Sequence, residues 1–313
     1  MKGLELSERY YWEVCAPMLG KLFPSVASRI AAGLVGEGSE CLGFDDEVSR
    51  DHDWGAAVCL WLSVCDEETY GPALRHELAR LPASIYGYPP RTESTGGSGR
   101  TGVFSIGSCY SQFLGCEGVP ETLAGWLALS ESSLAVATSG AVFADVVGDF
   151  TRIRNGLLAF YPEDIRLKKL AARCAVMAQA GQYNLPRCVA RKEYVAALAA
   201  EAAFVNAACS AVYLLNRRYM PFYKWMHRGL RDLPLLGKEM FASLAALVEA
   251  EGDTASVFRK KTDMIEDISA MLIRTLHQQG LSSADSDFLL DHGVALQRRV
   301  HDETIRRMNL FLG

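Results

Sequence analysis

Two apolar segments near the start of the chain constrain its fold more than any other feature. The first, residues 30–35, runs into the glycine-rich sequence GEGSECLG, which is poorly suited to a helix. The second, WGAAVCLWLSV over residues 54–64, is almost continuously apolar, as in strands of a sheet covered on both faces. Both segments are therefore predicted to be buried strands, and the first ends in a tight turn at Gly38-Ser39.

Further strands are predicted in the first half of the chain. The sequence TGVFSIGS, residues 101–108, is a strand candidate. Residues 135–150 are predicted to form a pair of strands that turns at Ser139-Gly140. Together these segments predict a small mixed sheet.

The second half of the chain is predicted to be helical. From Glu163 onward glycine and strand-forming residues become scarce, and long amphipathic patterns dominate. Helices are expected over residues 163–180, 192–217, 236–250, 254–279 and 284–311. A length of 313 residues suits two domains. The sequence therefore predicts an α+β protein, with an α/β domain at residues 1–160 and an all-helical bundle at residues 161–313.

Composition narrows the environment and the partners. The formal net charge of −5 provides no overall positive field for nucleic acid, so a small molecule or a protein is the expected partner. Nine scattered cysteines without a CxxC pair, and a start without a secretory apolar region, predict a cytoplasmic protein with reduced thiols. The apolar stretch around residues 195–215 carries Glu201 and Asn206 and is predicted to be a buried helix rather than a membrane span. Oligomeric state is left open.

The most informative residues lie around the first turn. Asp51 and Asp53 precede the second strand, and in an extended segment residues i and i+2 point to the same face. Two adjacent carboxylates repel each other unless a cation lies between them, and Mg²⁺ suits carboxylates combined with substrate phosphates. Gly38 lets the backbone approach a phosphate chain, and the Ser39 hydroxyl can hydrogen-bond its oxygens. These residues predict a site for Mg²⁺ and a nucleoside triphosphate.

The pattern resembles that of the nucleotidyltransferase superfamily, which includes polymerase-beta-like and kanamycin- and lincosamide-modifying enzymes. The resemblance rests on the apolar strand, Gly38-Ser39, an interval of eleven residues, and Asp51-x-Asp53. Together with GQYNLPRC and YMPFYKWMHR downstream, the chain also resembles an uncharacterised bacterial family that joins such a domain to a helical one. The resemblance implies Mg²⁺-dependent transfer of a nucleoside monophosphate from a triphosphate, with ATP favoured, to a hydroxyl of a small molecule or protein.

One departure from the superfamily pattern keeps other functions open. The resemblance implies a third carboxylate on a later strand, but TGVFSIGSCYS contains no acidic residue. Asp66 and Asp145 are the candidates to replace it. The alternative function is a catalytically silent nucleotide-binding or regulatory module, and a third interpretation is a helical interaction protein whose acidic loop is incidental.

Two polar clusters in the helical half are further candidates. The segment YMPFYKWMHR holds Tyr223, Lys224 and Arg228; the resemblance implies that Lys224 or Arg228 contacts nucleotide phosphates, whereas aromatic anchoring of a helix start is the alternative. The break GQYNLPRC supplies a second set of polar side chains, which either cap helix ends or line a cleft between domains. Its members are Gln182, Tyr183, Asn184 and Arg187.

Overall fold

A computed structural model of the chain describes residues 1–50, 54–82, 84–89, 91, 100–251 and 254–313. Up to residue 159 the elements are α1 (Gly3–Tyr10), α2 (Ala16–Leu22), β1 (Ala31–Leu34), α3 (Ser39–Leu42), β2 (Cys59–Leu62), α4 (Val64–Leu78), β3 (Gly102–Ser105), α5 (Ile106–Leu114), α6 (Leu123–Ala128), α7 (Glu131–Ala137), β4 (Ala141–Ala144) and α8 (Asp149–Leu158). After residue 160 they are α9 (Glu163–Met177), α10 (Leu185–Ala190), α11 (Tyr194–Leu215), α12 (Tyr223–Met226), α13 (Gly237–Val248), α14 (Thr254–Gln278), α15 (Leu289–Arg298) and α16 (Glu303–Arg307). The predicted α+β class is confirmed.

The chain forms two compact units. The first, the sheet unit, comprises Met1–Pro120 and Glu131–Ala159. The second, the helical unit, comprises Glu121–Ser130 and Phe160–Gly313. Helix α6 therefore belongs to the helical unit although α7, β4 and α8 of the sheet unit follow it in the chain, an excursion that no pattern in the sequence predicts.

The sheet has four strands in the order β3-β2-β1-β4. Strand β1 is antiparallel to both of its neighbours, with Gly33 opposite Cys59 of β2 and Leu34 opposite Ala141 of β4. Strand β3 is parallel to β2, and a parallel pair needs a crossover connection, which here contains α4. The small mixed sheet expected from the sequence is confirmed.

The strand directions bring four stretches of chain to one end of the sheet. Because β2, β3 and β4 all run opposite to β1, the end of β1 lies beside the starts of the other three strands. We call this end the Gly38 edge and define it by residues 35–40, 54–58, 100–101 and 139–140. The N-terminal end of β1 lies on the far side of the sheet.

Both faces of the sheet are covered, as the apolar strands required. On one face Leu60 and Leu62 join a core with α1, α2 and α4. On the other face the Trp61 ring stacks on Phe150 with ring centroids 3.7 Å apart, and its Nε1 donates to Cys109 Sγ at 3.1 Å. Burying these large side chains on both faces supplies most of the hydrophobic stabilisation of the sheet unit.

Two strand predictions are corrected. Strand β3 ends at Ser105, whose hydroxyl accepts a hydrogen bond from the Ser108 N–H at 3.2 Å and so caps α5, which replaces the second half of the predicted strand. The first arm of the predicted strand pair is α7, and β4 alone is extended. A short buried apolar run has the same composition in a helix as in a strand, so periodicity does not distinguish them.

The helical unit is built around α9 and α11. The predicted final helix is interrupted by residues 299–302, which separate α15 from α16. Within the described residues, α11 is long and apolar enough to cross a membrane, with a mean hydropathy of 1.7, and half of that window is buried in the protein. On its buried side Glu201 accepts hydrogen bonds from Lys261 Nζ at 2.7 and 2.9 Å.

Candidate functional site

The turn that follows β1 presents hydrogen-bond donors that have no partner among the described residues. Gly38 precedes α3 and Ser39 is its first residue. In the part of the chain that the structure describes, the main-chain N–H groups of Gly38, Ser39 and Glu40 and the Ser39 hydroxyl have no hydrogen-bond acceptor. A turn with several free N–H groups is the arrangement that binds phosphate oxygens. The turn therefore has the donors expected of a phosphate cradle.

A buried ion pair lies against the same turn. The Glu40 carboxylate accepts a hydrogen bond from Arg91 Nη1 at 2.9 Å, and these side chains are only 1% and 10% exposed. A Cβ atom added to Gly38 would lie 2.6 Å from the Glu40 carboxyl carbon. Residue 38 is thus glycine because the carboxylate occupies the space of a side chain, and Arg91 offsets the negative charge beside the free N–H groups.

The Ser139-Gly140 turn holds the end of β1 in place. Ser139 Oγ accepts a hydrogen bond from the Gly36 N–H at 3.1 Å and lies 2.8 Å from the Gly36 carbonyl oxygen. The Gly140 N–H donates to the Cys41 carbonyl at 2.7 Å. Gly140 has a φ of +61°, and a Cβ there would collide with the Leu34 carbonyl, so glycine is required on both counts.

A half-buried arginine fixes this second turn. Arg154 donates from Nη1 to the Ser139 carbonyl at 2.7 Å and from Nη2 to the Gly140 carbonyl at 3.0 Å. Burial lowers the pKa of Arg154, yet the guanidinium stays charged because its ordinary value is so high. Arg154 thus holds the main chain of the second turn, which in turn binds the first turn through the Ser139 hydroxyl and the Gly140 N–H.

Asp51 and Asp53 lie outside the described residues, but the residues on either side of them are well fixed. The Arg50 guanidinium lies 5.0 Å from the centre of the Trp54 ring. Trp54 is buried, and its Nε1 donates to Asp45 Oδ2 at 3.4 Å. Burial alone would raise the pKa of Asp45, but hydrogen bonds from the Gly3 N–H and Trp54 lower it below its ordinary value. Asp45 is therefore a charged anchor for Trp54, which contacts Arg50 on the other side of the Asp-x-Asp segment.

The two replacements considered for a third carboxylate do not lie at the Gly38 edge. Asp66 forms two hydrogen bonds with Arg29, which precedes β1, at 2.6 and 2.9 Å. Asp145 follows β4 and accepts hydrogen bonds from the N–H groups of Gly148 and Thr151, both at 2.8 Å, at the start of α8. Both aspartates lie at the N-terminal end of β1, about 13 Å of strand away from the turn. Neither replaces a carboxylate beside Gly38, because each stabilises the opposite end of the sheet.

Two cysteines lie in the chain next to the Gly38 edge, and neither is suited to nucleophilic catalysis. Burial raises the pKa of the Cys59 thiol to about 12 and that of Cys41 well above its ordinary value, so neither supplies a thiolate nucleophile. Among the described residues no three His, Cys, Asp or Glu side chains are grouped to hold a metal ion.

The aromatic-basic segment of the helical unit gathers two cations on one ring. Lys224 Nζ lies 5.0 Å and the Arg228 guanidinium 5.5 Å from the centre of the buried Trp225 ring. Tyr223, at the start of α12, is 81% exposed. The segment is thus anchored by one aromatic side chain and presents another to solvent, together with two positive charges.

Of the residues in the GQYNLPRC break, Gln182 has a clear structural role. Its Nε2 donates to Glu266 at 2.7 Å and to the Asp287 carbonyl at 2.8 Å, and its Oε1 accepts from the Leu289 N–H at 2.9 Å. Gln182 therefore caps the start of α15. Asn184 is half-buried at the start of α10, and the exposed Arg187 guanidinium lies 4.7 Å from the Tyr183 ring centre.

The residues that shape the Gly38 edge were missed by sequence reasoning. Arg91 is 51 positions from Glu40, and Ser139 is 103 positions from Gly36. No local spacing links such residues, since each is brought in by the strand pairing. The glycine at position 140, next to an apolar run, was the single signal in the sequence.

Comparisons with known proteins give partial matches. Residues 126–226 match a family described as a domain of unknown function (DUF4037), which covers less than half of the chain and includes only residues 139–140 of the Gly38 edge. No curated protein matches the chain. A crystal structure of a nucleotidyltransferase-like protein from Exiguobacterium sibiricum 255-15 is similar at 11% sequence identity and a TM-score of 0.39, covering 87% of this chain and 81% of that one.

Proposed function

We propose that the chain is a Mg²⁺-dependent nucleotidyltransferase that moves a nucleoside monophosphate from a triphosphate, with ATP favoured, to a hydroxyl of a small molecule or protein. One observation carries the proposal. The N–H groups of Gly38, Ser39 and Glu40, which have no acceptor among the described residues, lie at the same end of the sheet as Trp54, which follows Asp51 and Asp53 in the chain. A phosphate cradle beside two carboxylates is the combination that this reaction needs.

The chain's own residues have separate tasks in this proposal. The N–H groups of the turn and the Ser39 hydroxyl hold phosphate oxygens of the triphosphate. Asp51 and Asp53 hold Mg²⁺, which supplies charge neutralisation at the attacking and leaving oxygens. The acceptor oxygen forms a bond to the α-phosphorus as the bond to the β-phosphate oxygen breaks; pyrophosphate leaves, and the proton of the acceptor hydroxyl passes to solvent. Nine free cysteines support the accompanying proposal of a cytoplasmic location.

The first test asks whether nucleotide binding requires Asp51 and Asp53 themselves rather than any carboxylate of their segment. The melting temperature of the full chain is measured with ATP, GTP, CTP and UTP, with and without Mg²⁺. We expect metal-dependent stabilisation that Asp51→Asn and Asp53→Asn abolish and Glu47→Ala retains, since Glu47 is an exposed carboxylate of the same segment. Equal nucleotide responses in all three variants would contradict the proposed site.

A second test concerns the basic residues of the helical unit. We propose that Lys224 and Arg228 contribute to phosphate binding. Lys224→Ala is then expected to weaken triphosphate binding about tenfold or more, which is the loss of one charge-assisted hydrogen bond. Lys238→Ala, which removes an exposed lysine of α13, is the matched control. Equal triphosphate affinities of the two variants would show that Lys224 does not contribute to phosphate binding.

A catalytically silent nucleotide-binding module is the second candidate. It is favoured by the pairing of the described carboxylates at the Gly38 edge, where Glu37 faces Arg100 at 3.2 Å and Glu40 faces Arg91 at 2.9 Å. With Asp66 and Asp145 at the far end of the sheet, no described residue supplies a third carboxylate for catalysis. Pyrophosphate release distinguishes the two functions: a transferase releases it with an acceptor present, whereas the module binds nucleotide without releasing it.

A further inference from the structure

The helical unit contains a cavity of about 470 Å³ that is unrelated to the Gly38 edge. It lies between the start of α9 and the connection from α15 to α16. Three arginines line it, Arg298, Arg299 and Arg306, against one acidic residue, Glu163. The volume is within the range of small-molecule sites, and the lining carries an excess of positive charge.

The acidic residue does not neutralise these arginines. Glu163 Oε2 accepts hydrogen bonds from Arg166 Nε at 3.0 Å and Arg217 Nη2 at 2.8 Å, so its charge is already shared by two other guanidinium groups. Among the described residues, the side chains of Arg298 and Arg299 form no ion pair and no hydrogen bond. Their donors are available to a ligand.

The chain around the cavity is held firmly. Asp164 accepts hydrogen bonds from the N–H groups of His301 at 2.9 Å and Asp302 at 2.8 Å. Gln297 Nε2 donates to the carbonyl groups of Arg306 and Met308, both at 2.9 Å, which ties α15 to α16. Because the connection is fixed before a ligand arrives, binding does not have to order it.

Arg306 completes the arrangement. Its Nη1 donates to the carbonyl groups of Val300 at 2.9 Å and His301 at 3.2 Å, which orients the guanidinium at the cavity wall. Attraction to the negative end of a helix dipole accounts for a basic residue such as Arg298 in the last turn of α15. Arg299, at the C-cap of α15, and Arg306, in the last turn of α16, are placed where the same attraction applies, but a helix dipole does not account for the cavity that the three arginines line.

We infer that this cavity binds a polyphosphate anion, either free pyrophosphate or the phosphate chain of a nucleotide. Guanidinium groups match phosphate oxygens with paired, charge-assisted hydrogen bonds, and an anion carrying several charges suits three arginines better than a single carboxylate does. The site belongs to the helical unit and is independent of the nucleotide site proposed at the Gly38 edge.

The test is calorimetric titration of the full chain with sodium pyrophosphate, sodium phosphate and ATP, in EDTA and at constant ionic strength. We expect wild type to bind pyrophosphate, and Arg298→Ala/Arg299→Ala to raise the Kd about tenfold or more. Arg307→Ala is the matched control, because that exposed arginine of α16 already pairs with Glu303 at 2.6 Å. It should leave the Kd unchanged.

Comparison of the ligands identifies the source of the anion. If ATP binds more tightly than pyrophosphate, the ligand of the cavity is a nucleotide. If the two bind equally tightly, the ligand is free polyphosphate. The inference is overturned if none of the three ligands binds, or if Arg298→Ala/Arg299→Ala and Arg307→Ala have the same Kd. Loss of pyrophosphate binding in Asp51→Asn/Asp53→Asn, with binding intact in the arginine double variant, would also overturn it by placing the ligand at the Gly38 edge.

Discussion

The Ser139 hydroxyl lies between the two main-chain polar groups of Gly36, accepting from its N–H at 3.1 Å and lying 2.8 Å from its carbonyl oxygen. One side chain thus fixes the turn that carries Gly38 and Ser39 from a position 103 residues away. The hydroxyl also lies 2.7 Å from the Val136 carbonyl. The shape of the proposed phosphate cradle therefore depends on a residue that would never contact a phosphate.

Ser139→Ala is expected to destabilise the protein by about 1–3 kcal/mol, because it leaves the buried Gly36 N–H without an acceptor. Urea unfolding measures the change. Ser111→Ala in α5 is the control, since its side chain forms no hydrogen bond within the described residues and the expected change is within about 0.5 kcal/mol. Equal stabilities of the two variants would show that the Ser139 hydroxyl is dispensable.

Gly38→Ala tests the close approach of Glu40 to the turn. The new methyl group would lie 2.6 Å from the Glu40 carboxyl carbon and would displace the carboxylate from Arg91. A loss of about 2–4 kcal/mol is expected, within the range for disturbing a buried ion pair. Gly20→Ala, in α2, meets no atom within 4 Å and should gain up to about 1 kcal/mol from helix propensity. A neutral Gly38→Ala would mean that the turn relaxes freely.

Replacing only one partner of the Glu40–Arg91 pair is expected to destabilise the protein strongly. Arg91→Met should destabilise the protein by about 3–5 kcal/mol because the carboxylate of Glu40 stays buried without its cation. Adding Glu40→Gln should restore part of the loss, and a double-mutant cycle by chemical unfolding gives the coupling. Arg80→Met breaks an exposed pair with Glu77 and should cost no more than about 1 kcal/mol. Purely additive effects of the Arg91 and Glu40 changes would contradict the coupling.

Lys168 predicts a pH dependence of stability. Its Nζ is fully buried and donates to the carbonyl groups of Asn309, Leu310 and Leu312 at 2.8, 3.1 and 2.7 Å. Burial lowers the pKa of Lys168 to about 8 from the ordinary value of 10.5. Between these values the unfolded chain binds more protons than the folded chain, so the Lys168 contribution to stability increases as pH rises.

The matched comparison isolates that contribution. The free energy of unfolding of wild type relative to Lys168→Met should rise by about 3 kcal/mol between pH 7.5 and pH 10.5, since one pKa unit corresponds to about 1.4 kcal/mol. Other titrating groups are common to both proteins and cancel in the difference. Lys238→Met, which replaces an exposed lysine, is the control for the substitution itself. A difference between wild type and Lys168→Met that does not change with pH would show that the pKa of Lys168 is not lowered.

The sequence determined the parts of this protein that depend on neighbouring residues. An apolar run followed by glycines specified β1 and its turn, and the loss of glycine after residue 160 specified the helical half, because hydrophobic period and backbone freedom are local properties. A short apolar run fits a helix and a strand equally well, and the strand predicted where α7 lies was therefore wrong.

Tertiary structure alone decided what surrounds the turn. Strand pairing brought Ser139 to Gly36 and sent Asp66 and Asp145 to the far end of the sheet, and the packing of the turn placed Arg91 on Glu40. Such partners are chosen by register, direction and burial, which no spacing along the chain encodes. The same holds for the arginine-lined cavity: Arg298, Arg299 and Arg306 are close in sequence, but the fold of α9, α15 and α16 makes them the walls of one space.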